Sequence, residues 1–340
     1  MSLTPKNTIV LSTSMIVMGA WLASGSLSLP AVVGGENDAP AQTVEAVKIA
    51  APVMPVPAVS GPQAGRLFIC GGGILPAAVL ERFIELAGGA AAKIVYIPTA
   101  SIYAGTPDLE ARLAFWREQE SAGRLKSFSI VHAPDRDAAN RADVVAPLKD
   151  ATAVWFGGGV QSKLTERYLG TAVEHEVKQL LVRGGMVGGT SAGAAIMSDV
   201  MIRGGAPEPD IAEGFGFLKN SVVDQHFIKR NRHTRLANAL HRHPNRVGIG
   251  VDEGTALILA GEHCEVVGDS KVLVCVAEAR QVAFHEIKSG ENVKLAQVVG
   301  QAHLAVRQNV AKQTPVARSA SIEKVAADST RAVDMPQTGR

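Results

Sequence analysis

The chain is poor in cysteine. Its 340 residues hold three, Cys70, Cys264 and Cys275, in no CxxC or CxxH spacing. That argues against a disulfide scaffold and a cysteine-type zinc site. It also lacks an excess of charge: 34 Lys and Arg against 32 Asp and Glu leave a net +2, which excludes a strongly basic nucleic-acid module and an acidic solvating tail. Aromatic residues are scarce, at 4%, but hydrophobic residues make up 46%, enough for a substantial core. Long apolar runs are absent outside the N-terminus, and no other stretch approaches the length of a membrane span.

What is present begins with Lys6, followed by an uncharged segment from Asn7 to Gly35. Ile9–Leu11 and Met15–Met18 are its apolar middle, and small residues follow from Ala23 to Ala31. This is the pattern of an export signal over residues 1–31, with a retained membrane anchor as the alternative. Residues 32–64 contain an Ala/Pro-rich stretch (Ala51-Pro52-Val53-Met54-Pro55-Val56-Pro57) and read as an extended linker. Residues 286–340 turn polar and rich in small residues, and read as a mostly disordered tail with one helical stretch near Val298–Val310. One packed unit remains, 65–285.

Within it, β-rich apolar runs alternate with helical patterns. Strands are expected at Arg66–Cys70, Lys93–Ile97, Phe128–His132, Ala153–Phe156 and from Met186. Helices are expected from Pro76, over Asp108–Ala122 and over Val173–Val182. Continuous apolar strands between amphipathic helices imply an α/β fold, a doubly wound and mostly parallel sheet covered on both faces. Short alternating strands after Glu262 suggest an antiparallel edge. In parallel sheets function sits at the carboxyl ends of strands. Three such ends carry glycine: Gly71-Gly72-Gly73, Gly157-Gly158-Gly159 and Gly188-Gly189.

The last of these runs into Gly189-Thr190-Ser191-Ala192-Gly193, a G-x-S-x-G turn between a strand and a helix. The glycines let strand and helix approach while the serine occupies a strained, exposed corner. The Ala192 N–H at the helix start could stabilise an oxyanion. A serine capping a helix in a glycine-rich turn is the plainer alternative. A nucleophilic serine requires a base. Of nine histidines, His226 is the best placed, because Val222–Gln225 reads as a short strand and puts it at a strand end. His233, His241 and His243 lie in a basic helical run and read as solvated; for Arg235, Arg242 and Arg246 a solvated helix face is the alternative reading. A third strand, Val247–Val251, ends in Asp252 and Glu253; alternation directs them to opposite sides, so one should face the site. An α/β-hydrolase using a late His263 is less consistent, since its acid would then precede the histidine.

Gly189–Ala194, then Asp224-Gln225-His226-Phe227 with Arg230, Arg232, Arg235 and Leu236, then Gly248–Glu253 together resemble the cyanophycinases, members of the serine peptidase family that also contains aspartyl dipeptidase. Ile97–Ser101, Gly157–Gln161 and Gly214–Leu218 support the likeness, which spans about residues 65–280. The resemblance implies a class I glutamine amidotransferase-like fold with serine at the elbow. It implies a Ser191-His226-Glu253 triad and hydrolysis of cyanophycin, a polyaspartate with arginine amide-linked to each side chain, to β-Asp-Arg dipeptides. An isoaspartyl or aspartyl dipeptidase and a non-catalytic binding protein are the alternatives.

Around such a triad, Gly158 or Gly159 could complete the oxyanion hole beside Ala192. Arg230 and Arg232 could hold substrate carboxylates, and Gln161 and Gln225 could bond its polar backbone. Asp224 is placed to receive a guanidinium. No metal or cofactor is required and no nucleic acid is expected; the sequence does not fix the oligomeric state, and a homodimer is one assembly it leaves open. Two loops depart from the family pattern: Gly72-Gly73-Ile74-Leu75 lacks the acid usual there, and Val160 stands where Asp is common.

Overall fold

The computed structural model describes residues 58–278 and 281–313. The expected export signal, most of the linker and the end of the tail lie outside the described residues. Among the described residues, no helix is long and apolar enough to cross a membrane.

The first sheet carries the strands read most easily from sequence. These are β1 (Arg66–Cys70), β2 (Lys93–Ile97), β3 (Ser127–Ile130), β4 (Ala153–Phe156) and β5 (Met186–Thr190), in the order β1-β5-β4-β2-β3 and all parallel. Their crossovers contain α1 (Ala77–Leu86), α2 (Ala114–Ser121), α3 (Ala142–Lys149), α4 (Gln161–Tyr168) and α5 (Ala172–Val182). The expected helix over Asp108–Ala122 is divided: a 3-10 segment, Pro107–Arg112, precedes α2. Pro107 at the start of that segment fits, because its missing N–H has no partner to lose in a first turn.

Five buried aromatic residues, Phe68, Phe83, Trp116, Phe128 and Trp155, share one core cluster against this sheet. Phe68, Phe83 and Trp155 pack edge-on or tilted at 4.8 to 6.2 Å, and Trp116 stacks on Phe128 at 5.8 Å. Gly188 admits them, because a Cβ there would lie 2.4 Å from the Phe83 ring.

A second sheet was not separable from the first by alternation alone. After α6 (Ala192–Ala195) come β6 (Ser198–Gly204), β7 (Asp210–Glu213), β8 (Leu218–Gln225), α7 (His233–Arg242), β9 (Val247–Val251), β10 (Thr255–Ala260), β11 (His263–Gly268), β12 (Lys271–Glu278), β13 (Gln281–Lys288), β14 (Asn292–Lys294) and α8 (Leu295–Gln313). The order of the second sheet is β13-β12-β9-β8-β6-β7, while β10, β11 and β14 extend the first sheet beyond β1. The late antiparallel strands are therefore shared out: β11 pairs with β10 and β12 with β9, with only the Gly268–Lys271 turn between them. Within the second sheet β6, β8 and β9 run parallel.

Both ends of the packed unit lie further out than their composition suggested. Ser60 bridges to Lys219, and the Asn220 amide donates to the Ala58 carbonyl at 2.8 Å. The segment read as tail holds the end of β13, then β14 and α8, and α8 covers the helical stretch expected near Val298–Val310. Leu295, Val298, Val299, Ala302 and Val306 on α8 are buried in the main core. Their i, i+3, i+4 spacing is a core-facing stripe, diluted in the sequence by the Gln and Ala between.

Candidate active site

β5 lies between β1 and β4, so the turn that ends β5 is flanked by the glycine loops that end its neighbours. At this turn Ser191 holds φ 52°, an uncommon value for a residue with a side chain. The pentapeptide glycines make the corner possible. A Cβ on Gly189 would lie 2.6 Å from the Gly193 carbonyl, and one on Gly193 would lie 2.2 Å from the Phe156 carbonyl. Strand and helix therefore approach more closely than any larger residue allows. The Ser191 N–H donates to the Cys70 carbonyl at 3.1 Å, fixing the turn to the end of β1.

The second sheet delivers the base and the acid. β8 and β9 are parallel neighbours, with Gln225 opposite Val251, so His226 and the Asp252-Glu253 pair emerge side by side. His226 also has positive φ, 49°, and its N–H donates to the Gly71 carbonyl at 2.7 Å. The Gly254 N–H donates to the Gly72 carbonyl at 3.0 Å. The first glycine loop thus joins the two sheets at the site.

The three side chains meet. Ser191 Oγ lies 2.8 Å from His226 Nε2, and His226 Nδ1 lies 2.5 Å from Glu253 Oε1. The ring sits against backbone: a Cβ on Gly72 would lie 2.4 Å from His226 Cε1, and one on Gly73 2.8 Å from Glu253 Oε2. The role of these glycines is visible in the sequence only as a glycine-rich strand end. Burial pushes the His226 imidazole below the usual histidine range; the Glu253 hydrogen bond opposes this, and the Arg230 and Arg232 charges add to the lowering. A neutral imidazole near pH 7 can accept the serine proton.

Asp252 is buried and turned the other way. Its Oδ1 accepts the Ile228 and Lys229 N–H groups at 3.0 and 2.9 Å, which holds the loop after His226. The alternation of the two acids is thus realised, with Glu253 on the site side. Gly158 lies beside the serine, since its Cβ position is 3.6 Å from Ser191 Cβ. Gly159 points its Cβ position into the Ala100 carbonyl, at 2.1 Å. Ala192 opens α6, whose single turn of four residues makes any oxyanion stabilisation a matter of its N–H group more than of a helix dipole.

The polar residues expected to bind substrate divide sharply. Asp224 is fully buried and cannot receive a substrate guanidinium, because Arg235 Nε reaches its Oδ2 at 2.9 Å, Arg235 Nη2 also bonds its Oδ1, and Arg232 Nη1 approaches at 3.3 Å. Arg235 is accordingly core rather than solvated surface. Arg232 Nη1 also donates to the Gln225 carbonyl at 2.6 Å and to Gln225 Oε1. Arg232 and Gln225 are thereby engaged with one another instead of free for substrate. Gln161 Nε2 donates to the Ile202 and Arg203 carbonyls at 3.0 and 2.8 Å, tying α4 to β6. Its amide is likewise committed. Arg230 alone among these remains exposed beside His226. His233 is partly buried and packs on Phe227 and Phe284, at 4.8 and 5.3 Å between ring centres. Arg242 pairs with Glu208, and Arg246 with Asp199 at 2.9 Å.

The family profile described as Peptidase family S51 matches residues 67–267. A cyanophycinase of Geminocystis herdmanii (strain PCC 6308) is 34% identical over 218 residues, covering 61% of this chain and 78% of that protein. A cyanophycinase of Synechococcus elongatus is 32% identical over 225 residues, covering 61% of this chain and 65% of that protein. Among solved structures, a peptidase from an acI-B1 Actinobacterium superposes with a TM-score of 0.57 at 25% identity, covering 69% of this chain and 98% of that one.

Proposed function

The chain belongs to peptidase family S51, a serine-type peptidase on an α/β, class I glutamine amidotransferase-like fold, and from that premise we propose that it is an exported exopeptidase that hydrolyses cyanophycin to β-Asp-Arg dipeptides. The relatives named cyanophycinase support the substrate. The hydrogen-bond chain from Ser191 Oγ through the His226 ring to Glu253 Oε1, at 2.8 and 2.5 Å, carries the mechanism.

Ser191 Oγ attacks the scissile carbonyl while its proton passes to His226 Nε2. Glu253 holds the Nδ1–H and stabilises the imidazolium that forms. The carbonyl oxygen takes the negative charge against the N–H groups of Ala192 and Gly158. Collapse breaks the C–N bond, and His226 returns the proton to the leaving amine. Water, deprotonated by His226, then releases the acyl group from Ser191. Arg230 receives a carboxylate of the substrate.

Purified protein incubated with cyanophycin should release β-Asp-Arg, detected by mass, and Ser191→Ala should abolish release while keeping its circular dichroism. A folded wild type that reacts with a fluorophosphonate yet releases no dipeptide would overturn the substrate assignment. The commitment of Asp224, Gln225 and Arg232 to one another favours a second reading, a β-aspartyl or aspartyl dipeptidase that binds one carboxylate through Arg230. Such an enzyme would show higher kcat/KM on β-Asp-X dipeptides than on polymer. For export, residues 1–31 fused to a periplasmic reporter should carry it across the membrane; retention in the cytoplasm would remove that part of the proposal.

A further inference from the structure

Cyanophycin presents a guanidinium on every repeat, yet the carboxylates closest to the triad are spoken for. Asp224 is paired with Arg235 and Arg232, Asp252 holds the Ile228 and Lys229 N–H groups and the Ser270 hydroxyl, and Glu253 holds His226. The first glycine loop, Gly72-Gly73-Ile74, has no acid of its own. A cationic side group must therefore find its acceptor on another element.

The turn between β11 and β12 supplies one. The Asp269 N–H donates to the Gly254 carbonyl at 3.1 Å, and the Ser270 N–H donates to Thr255 Oγ1 at 2.9 Å. The Ser270 hydroxyl donates to Asp252 Oδ2 at 2.9 Å, and the Ser289 hydroxyl to the Gly268 carbonyl at 2.6 Å. The turn is thus locked onto the segment that bears Glu253. Asp269 itself is exposed and makes no ion pair among the described residues. A Cβ on Gly254 would lie 3.1 Å from Asp269 Oδ2 and 3.6 Å from the Ile74 carbonyl, so a carboxylate and a carbonyl converge one residue from Glu253. Gly254 has no side chain to fill that space. Ile74, 93% exposed on the adjoining loop, offers apolar surface. Two acceptors beside an aliphatic contact match a guanidinium on a methylene stem.

We propose that Asp269, with the Ile74 carbonyl, forms the subsite for the arginyl side group of the substrate and sets the preference for a cationic substrate. This rests on the cyanophycin reading. The test compares synthetic cyanophycin oligomers with the same oligomers carrying citrulline, which has arginine's shape without its charge. Wild type should prefer the arginyl oligomer. Asp269→Asn should lower the arginyl-to-citrullyl ratio of kcat/KM about fivefold, mainly through KM, as the loss of an exposed charge contact does. Asp269→Lys should lower it further, because it places like charges together. Circular dichroism checks that each variant is folded. Wild type that cleaves both oligomers equally, or a preference that survives both variants, would overturn the subsite alone. Wild type that cleaves neither oligomer would overturn the substrate reading, and the subsite with it.

Discussion

Ser191 and His226, at φ 52° and 49°, both hold backbone conformations that side-chain-bearing residues disfavour. Each such residue costs about 1–3 kcal/mol, so the surrounding hydrogen bonds must hold both in place. The chemistry then depends on His226 staying neutral. Since burial lowers its pKa, the acid limb of kcat/KM should have its midpoint below the ordinary histidine value of about 6.5, with activity rising as pH rises through it. The positive charge of Arg230 opposes imidazolium formation, so Arg230→Gln should raise the midpoint and bring the loss of activity to higher pH. Glu253→Gln should shift it the other way and reduce kcat about ten-thousandfold, because the carboxylate favours the imidazolium. A pH–rate profile of the three proteins checks all these signs; a midpoint unmoved by Arg230→Gln would show that its charge does not reach the ring.

Individual elements make demands of their own. The first glycine loop must let the His226 ring lie against bare backbone. With φ 101° and a Cβ position 2.4 Å from the ring, Gly72→Ala should displace the imidazole and reduce fluorophosphonate labelling of Ser191 far more than it reduces the melting temperature. The end of β8 depends on the Asp224 ion pairs, which place the residues just before His226. Breaking a buried pair by removing one partner costs about 3–5 kcal/mol, so Asp224→Ala should lower stability in denaturant titration by about that amount. Unaltered stability with a raised KM would instead return Asp224 to direct substrate binding.

At the scale of the described residues, two mixed sheets are joined where their parallel strands end. The first brings the nucleophile and the second the base and acid, with Gly71 and Gly72 hydrogen-bonded to both His226 and Gly254. The main core includes α8, which buries five apolar side chains beyond the boundary at residue 285 that composition suggests. At about 1.5 kcal/mol or more for each large buried side chain, against a total stability of about 5–15 kcal/mol, a chain ended at Lys294 should lose cooperative thermal unfolding. Retention of the full-length melting temperature would show α8 to be dispensable.

Much of this is written locally in the chain. β1, β2, β4, β5, α1 and α5 are legible because continuous apolar runs and one-sided helical stripes need no distant partner to be recognised. The serine turn is legible because glycines at both ends of a pentapeptide report a close approach of strand and helix. The alternation of Asp252 and Glu253 limits the facing acid to one of two. Sequence spacing carries no distances between remote segments, so tertiary structure alone settles what each polar group meets. Asp224, Arg235, Arg232, Gln225 and Gln161 have the composition of a ligand-binding set, but folding brings most of them within hydrogen-bond reach of one another or of backbone. There they satisfy buried polar atoms. The partition of β11 and β12 between two sheets, and the docking of α8, follow the same rule: pairing across tens of residues is decided by which surfaces meet.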